Sequence, residues 1–239
     1  TGERMCPEAL DKALARHAAH GVHNAQMGPV TLTQVTECGT LYSLDALETL
    51  GKIARTHGAP LHLDGARFAN ACAALGCTPA EMSWKRGVDA VSFGGTKNGL
   101  MGVEAVVLFD PARAREFELR RKRGAHLFSK HRYLAAQMAA YLEGGLWLEM
   151  AQAANANGAR LAAGLRASGV ADLLHEPQAN MIFCTLPRDL HRKLRAAGAE
   201  YALEGSLDGP GDTTLGCRMV CDWSLTEDQI GRFLALLTG

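Results

Sequence analysis

The sequence predicts an α/β protein in which helices flank a mostly parallel sheet and a small α+β domain follows at the C-terminus. Two observations lead to this prediction. Short apolar runs of strand length alternate with helix-like patterns over residues 29–110, and this alternation is typical of parallel sheets. Long helical patterns then fill residues 111–169, and the rest of the chain returns to shorter alternating strands and helices.

The first part of the chain contains the elements that we assign to the parallel sheet. "CPEALDKALARHAAH", Cys6–His20, has the spacing of an amphipathic helix, and Pro7 is tolerated in its first turn. "PVTLTQV", residues 29–35, alternates as a strand does. A helix then begins at the N-cap Ser43 and ends at Gly58. The next strands are predicted in the segments "APLHLDGARF", "DAVSF" and "EAVVLFD".

The second part begins with three long helical patterns and ends with the small domain. The helices are predicted in "PARAREFELRRKR", "HRYLAAQMAAYLEGG" and "LWLEMAQAANANGARLAAGLRASG". The strands "ANMIFCTL" and "GCRMVCDW" then alternate with the helices "DLHRKLRAAG" and "TEDQIGRFLALL". We therefore divide the chain into residues 1–145, part of a large domain, and residues 146–239, a linking helix with a small C-terminal domain.

The composition narrows the class of partner. The 25 Lys and Arg residues balance the 25 Asp and Glu residues, so the formal net charge is +0. The overall charge therefore does not favour binding to a nucleic acid or to an anionic membrane. The one basic concentration, Arg120–Arg132, is either a solvated helix end or an anion site. The chain has no apolar run of membrane-spanning length and no signal-like start, so we predict a cytoplasmic protein.

The seven cysteines do not predict a metal site. They lie in separate elements and lack paired C-x2-C spacing, and disulfides are unexpected in a reducing compartment. We therefore interpret them as small core residues.

One lysine lies where ligands gather in parallel α/β sheets. "DAVSF" reads as a short buried strand, and "GGTKNG", with Lys97, follows as a loop at its C-terminal end. A lysine that a ligand shields from water becomes a neutral amine more easily and condenses with carbonyl compounds. Asp64 ends the preceding strand. Pyridoxal phosphate requires this combination, a lysine for its Schiff base and a carboxylate beside its pyridine nitrogen.

These segments resemble a known family. "HLDGARFANA" and "SFGGTKNG" are similar to the two signature segments of the threonine aldolases, in the aromatic amino acid beta-eliminating lyase superfamily of fold type I pyridoxal-phosphate enzymes. "RGAHLFSKHRYLAAQM" resembles the bacterial low-specificity branch of that family. The resemblance covers nearly the whole chain, and it implies that residues 1–145 form part of the cofactor-binding large domain.

The resemblance also implies roles for individual residues. Lys97 carries the cofactor as a Schiff base, and Asp64 pairs with the pyridine nitrogen. Arg67 lies at the substrate side of the cofactor, where it contacts the cofactor and the substrate carboxylate. Arg218, in "GCRMVCDW", matches the carboxylate-binding arginine of the family. Arginines suit this task because a planar guanidinium holds a carboxylate with two parallel hydrogen bonds.

Further residues come from the same resemblance and leave alternatives open. His23 matches a family histidine near the substrate's β-hydroxyl, whose proton must be removed, and His126 is the rival base. Ser129 and Lys130 are either contacts to the cofactor phosphate, from this or a neighbouring subunit, or solvated residues of a helix face. No metal ligand is implied.

The resemblance implies an aldehyde-lyase that cleaves β-hydroxy-α-amino acids of the threonine, allo-threonine or phenylserine type to glycine and an aldehyde. A β-eliminating lyase or racemase of the same fold is the alternative, because Lys97 and Asp64 would serve those reactions as well. A non-catalytic fragment that acts only in assembly is the second alternative.

The chain begins at a point that resembles the middle of the family's large domain. We therefore expect an upstream segment, which in the family supplies the phosphate loop, the ring stacked on the cofactor and an N-terminal arm. We also expect a homotetramer, a dimer of dimers, with sites at subunit contacts.

Overall fold

The computed structural model of the chain describes residues 4–18, 23 and 25–238. Its first sheet has four strands: β1 (Val30–Thr33), β2 (Leu61–Gly65), β3 (Ala90–Gly94) and β4 (Glu104–Leu108). Their order is β1-β2-β3-β4, with parallel pairing from β1 to β3 and antiparallel pairing between β3 and β4. The prediction of a mostly parallel sheet is confirmed.

The helices of the first half pack against this sheet. They are α1 (Pro7–Ala18), α2 (Leu44–Thr56), α3 (Phe68–Leu75) and α4 (Pro79–Met82). As predicted, Ser43 caps α2, because its side chain accepts a hydrogen bond from the backbone N–H of Ala46. Gly58 follows the end of that helix at φ 70°, a left-handed conformation that favours glycine.

Helix α3 was not predicted. Its sequence "FANACAAL" lacks a polar stripe, and its first five residues are all buried. A helix that is apolar on every side gives no 3.6-residue period, so the pattern does not reveal it.

Three further helices follow the first sheet, and the last is the longest of them: α5 (Ala114–Arg123), α6 (Arg132–Leu142) and α7 (Leu146–Ser168). The second sheet contains β5 (Asp172–Leu173), β6 (Met181–Pro187), β7 (Ala202–Leu203) and β8 (Thr214–Val220), and its helices are α8 (Arg188–Ala196) and α9 (Glu227–Thr238). Its order is β5-β6-β8-β7, and all its pairs are antiparallel. The two-residue strands β5 and β7 are too short to show alternation, which explains why the sequence did not indicate them.

Two apolar clusters form the core of the described residues. The first lies between β1–β3 and helices α1–α3, and it also contains Ala179 and Met181. The second lies between the second sheet and helices α7 to α9. Helix α7 packs on α3 and on α9, so one continuous helix connects the two clusters. The domain boundary between residues 145 and 146 stays a prediction.

The cysteines follow the prediction only in part. Cys72, Cys184, Cys217 and Cys221 are buried, as expected of small core residues. Cys6 is exposed, and for this residue the prediction was wrong. The reason is that Cys6 directly precedes α1 and lies outside both clusters. Among the described residues, no helix has the length and apolar character needed to cross a membrane.

The glycine within α2 gives a test of this packing. A methyl group at Gly51 would overlap the backbone carbonyl oxygen of Arg86, which cannot rotate away. We expect Gly51→Ala to lower the free energy of unfolding by about 1–3 kcal/mol, although alanine is the better helix former. The matched control is Gly231→Ala in α9, where a Cβ meets nothing within 4 Å. Urea unfolding should show the control to be unchanged or stabilised by up to ~1 kcal/mol, and equal effects would contradict the packing of α2.

Candidate functional site

Parallel pairing brings the ends of β2 and β3 to one edge of the first sheet. Asp64 is the penultimate residue of β2 and lies in register with Ser92 of β3. Lys97 follows β3 directly, in the 3-10 turn Thr96–Asn98. The structure therefore places the predicted carboxylate and the turn with the predicted lysine at the same carboxyl edge, where parallel sheets bind ligands.

Asp64 is half-buried and fixed by its own loop. Its Oδ1 accepts a hydrogen bond of 3.0 Å from the backbone N–H of Ala66. His62 and Ser92 make a hydrogen bond of 2.9 Å between Nε2 and Oγ across the same two strands. A Cβ at Gly65 would lie 2.7 Å from the carbonyl oxygen of Ser92, so this close approach of backbones requires glycine.

The turn that contains Lys97 is held on both sides, although the Lys97 side chain is exposed. On one side, the Glu104 carboxylate accepts hydrogen bonds from the backbone N–H groups of Gly95 (3.0 Å) and Thr96 (3.3 Å). On the other side, the buried Asn98 amide donates to the Tyr141 hydroxyl (2.5 Å) and to the Trp147 carbonyl (2.9 Å). Burial raises the pKa of Tyr141 to about 12, so this residue stays a neutral phenol near pH 7.

Two arginines, one at the start of α3 and one in the second sheet, are the candidates for the positive charge of the site. Arg67 precedes α3, and Arg218 lies on β8 opposite Phe183 and Ala202. Burial lowers the pKa of Arg67; the nearby Glu37 opposes that shift and the positive charge of Arg218 adds to it. The Nε atoms of both arginines are buried without a hydrogen-bond partner. A buried donor without an acceptor is unfavourable, and so is a like charge nearby. A bound carboxylate would accept from the unpaired Nε–H groups and would offset the positive charge.

The remaining predicted residues lie in exposed segments of the chain. His23 is exposed in a turn, and no described contact joins it to Asp64 or to the Lys97 turn. His126, Ser129 and Lys130 are exposed in the segment between α5 and α6, where Lys130 has φ 63°. Their roles stay predictions.

Sequence reasoning did not identify Asn98, Glu104 and Tyr141 as part of the site. Asn98 is adjacent to Lys97, but its partner Tyr141 is 43 positions away, on a helix that no local pattern connects to the turn. The signal that the sequence offered was an asparagine beside Lys97 in a glycine-rich loop.

The arrangement fits pyridoxal phosphate at its ring and at the substrate side. Asp64 offers a carboxylate for the pyridine nitrogen, and Lys97 offers an exposed amine at the same sheet edge. The unpaired Nε donors of Arg67 and Arg218 suit the carboxylate of an amino acid.

Comparisons with known proteins agree with this geometry. The family model for the beta-eliminating lyases matches residues 1–187. A low specificity L-threonine aldolase of Pseudomonas aeruginosa is 41% identical over 230 residues, which are 95% of this chain and 63% of that protein. A second, from Pseudomonas sp., is 37% identical over 237 residues, which are 98% of this chain and 65% of that protein. The chain thus spans under two thirds of the length of these curated relatives.

Solved structures share the fold. The threonine aldolase of Leishmania major superimposes with a TM-score of 0.84 at 26% identity, covering 98% of this chain and 66% of that one. The serine palmitoyltransferase of Sphingomonas wittichii gives a TM-score of 0.62 at 19% identity, covering 98% of this chain and 58% of that one, a likeness of fold alone.

A pair of glycines tests the packing of the Lys97 turn. Gly99 and Gly102 both have positive φ, 108° and 72°, so alanine is strained at either position. At Gly99, a Cβ would also overlap the Met150 side chain and lie 2.8 Å from Trp223 Nε1, whereas Gly102 faces open space. We expect Gly99→Ala to reduce the free energy of unfolding by about 1–3 kcal/mol more than Gly102→Ala does. Urea titrations followed by circular dichroism measure this difference, and equal losses would show that Trp223 does not cover the turn.

Proposed function

Because the chain belongs to the beta-eliminating lyase family, we propose that it forms the core of a pyridoxal-phosphate-dependent aldehyde-lyase. Its substrates would be β-hydroxy-α-amino acids of the threonine, allo-threonine or phenylserine type, and its products glycine and an aldehyde. The observation that carries the proposal is the grouping of Asp64 and the Lys97 turn at one sheet edge, with the unpaired donors of two mutually close arginines. The two threonine aldolase relatives support the choice of reaction.

Lys97 and Asp64 would hold the reactive part of the cofactor. The Lys97 amine would bind it covalently, and the Asp64 carboxylate would keep its pyridine nitrogen protonated. The cofactor, when bound, supplies a positive ring that withdraws the electrons released when a bond at the substrate's Cα breaks. Ser129 and Lys130 would contact its phosphate.

The two arginines would bind and orient the substrate. A carboxylate between Arg67 and Arg218 would accept hydrogen bonds from their unpaired Nε–H groups. Its negative charge would also reduce the repulsion between the two guanidinium groups. Because both guanidinium groups are partly buried and extend from rigid elements, the bound amino acid is fixed relative to Lys97. Positioning of this kind contributes to binding in the ground state and the transition state alike.

A base must remove the β-hydroxyl proton before the aldehyde leaves. We assign this role to His23, with His126 as the rival, because a histidine accepts a proton at neutral pH. A cytoplasmic location and assembly into a homotetramer also belong to this proposal. Leu127, Phe128 and Tyr133, which are between 42% and 61% exposed around the α5–α6 segment, are consistent with a subunit contact there.

The reaction is tested by product analysis together with covalent trapping. Incubation with pyridoxal phosphate and threonine should yield glycine and acetaldehyde in equal amounts, and borohydride should fix a pyridoxyl group on Lys97. Lys97→Ala should abolish both results, because it removes the amine that holds the cofactor. Trapping is the primary readout, since the chain spans under two thirds of its relatives' length.

The matched control is Lys85→Ala, which removes another exposed lysine. It should leave trapping and products unchanged. Label found mainly on a lysine other than Lys97 would contradict the assignment. Pyruvate with ammonia would instead indicate β-elimination, an inverted amino acid would indicate racemisation, and the lack of any trapped cofactor would favour the non-catalytic fragment.

Arg218→Lys tests the carboxylate site. Lysine keeps the charge but loses the planar fork, and hydrogen bonds to charged groups contribute about 1.5–3 kcal/mol each. We expect KM for threonine to rise about tenfold or more with kcat nearly constant. Arg232→Lys, on the exposed face of α9 beside Asp228, is the control. If KM does not change in Arg218→Lys, Arg218 does not bind the substrate carboxylate and is a strand residue without that role.

A further inference from the structure

The residue after Lys97 is the most firmly held part of the turn. Asn98 is only 4% exposed, whereas Lys97 is exposed. Both N–H bonds of its amide have an acceptor, the hydroxyl oxygen of Tyr141 at 2.5 Å and the carbonyl oxygen of Trp147 at 2.9 Å. In a buried place, loss of these donors leaves two acceptors without partners, which costs more than an ordinary hydrogen bond contributes.

The partners of Asn98 lie on both sides of a sharp bend in the chain. Tyr141 is in the last turn of α6 and Trp147 is in the first turn of α7. Between them, Gly144 and Gly145 adopt φ 61° and 82°. Asn98 therefore ties the lysine turn to the junction of α6 and α7, and not merely to its own loop.

The aromatic rings around this junction make it a rigid support. Phe93, at the end of β3, packs against Tyr141 and Trp147 with ring centroids 6.0 Å and 5.9 Å apart. The same ring contacts Phe68 of α3 at 5.6 Å. The strand that leads to Lys97 and the amide that follows Lys97 are thus anchored on one cluster.

The other anchor of the turn is weaker. Glu104, which accepts from the N–H groups of Gly95 and Thr96, is exposed, and water competes for its carboxylate. Of the two anchors, only Asn98 is excluded from solvent.

We infer that Asn98 is a positioning residue that fixes the backbone of Lys97, so that the Lys97 amine stays at the sheet edge beside Asp64. The inference rests on the proposed function of Lys97. Asn98 acts through the turn, and it needs no contact with cofactor or substrate.

The test compares where an aldehyde reacts. The chain and its variants are treated with pyridoxal 5'-phosphate, reduced with borohydride and mapped by peptide mass spectrometry. The share of label on Lys97 is measured against the chain's other lysines, which serve as internal references. Asn98→Asp has the same shape but lacks both N–H groups. The Tyr141 hydroxyl can turn its own proton towards the new carboxylate, but the Trp147 carbonyl then faces that carboxylate without a donor. We expect this change to lower the share on Lys97 about tenfold, as an unpaired buried acceptor opposite a carboxylate implies.

A matched control separates positioning from a general loss of stability. His191 of α8 is also buried, and its ring nitrogens lie within hydrogen-bond distance of a tyrosine hydroxyl (Tyr201, 2.8 Å) and a backbone carbonyl (Leu215, 3.3 Å) in the second half of the chain. His191→Phe should reduce the unfolding temperature while leaving the share on Lys97 unchanged. If it lowers that share as much as Asn98→Asp does, the effect is general loosening and the inference fails.

Tyr141→Phe provides a milder variant in case Asn98→Asp does not fold. It removes one acceptor and keeps the bond to Trp147, so the share on Lys97 should fall between those of the parent and of Asn98→Asp. If the parent prefers Lys97 and Tyr141→Phe does so equally, the inference is wrong and the proposed function stands. If the parent shows no preference for Lys97, the role of Lys97 and the inference fall together.

Discussion

The parallel pairing of β2 with β3 is the constraint on which the candidate site depends. It places Asp64 opposite Ser92 and brings both strand ends to the same edge, so that a carboxylate and a lysine turn distant in sequence become neighbours. A slip of one residue would turn Asp64 to the opposite face of the sheet. Glycine helps to fix the register, because a Cβ at Gly65 would press on Ser92 and one at Gly94 would overlap the backbone of Ala66.

In the proposed function, the second sheet completes the site. Its strand β8 carries Arg218, whose positive charge adds to the lowering of the Arg67 pKa by burial, while Glu37 opposes it. Arginines that are close together and partly buried are expected where an anion binds. Helix α7 makes the arrangement possible, since it packs on α3, which begins beside Arg67, and on α9. In the proposed function, a residue at the start of α3 and a residue of the second sheet therefore serve one site, and α7 connects the two parts of the chain.

The sequence predicted the elements that have a strong period and missed those without one. The amphipathic α2, with its cap at Ser43, and the strands of the parallel sheet followed from local patterns, whereas the wholly apolar α3 and the two-residue strands did not. For the site, the position of Lys97 after a strand could be read from the chain, but its support by Tyr141 could not. That contact joins residues 43 positions apart, and only the packing of α6 brings them together.

The proposed function places two opposing demands on Lys97. An amine that forms a covalent bond with a ligand and later exchanges it for another would need a free and accessible side chain, and Lys97 is exposed. The same amine must meet the ligand at one place, which requires a fixed backbone. The chain separates the two demands between adjacent residues, because Asn98 is buried and bonded at both N–H groups while Lys97 next to it is not restrained by burial. The two arginines differ from Lys97 in this respect, because they are partly buried. This burial suits the role proposed for them, since a carboxylate that is only oriented requires donors that are held in place.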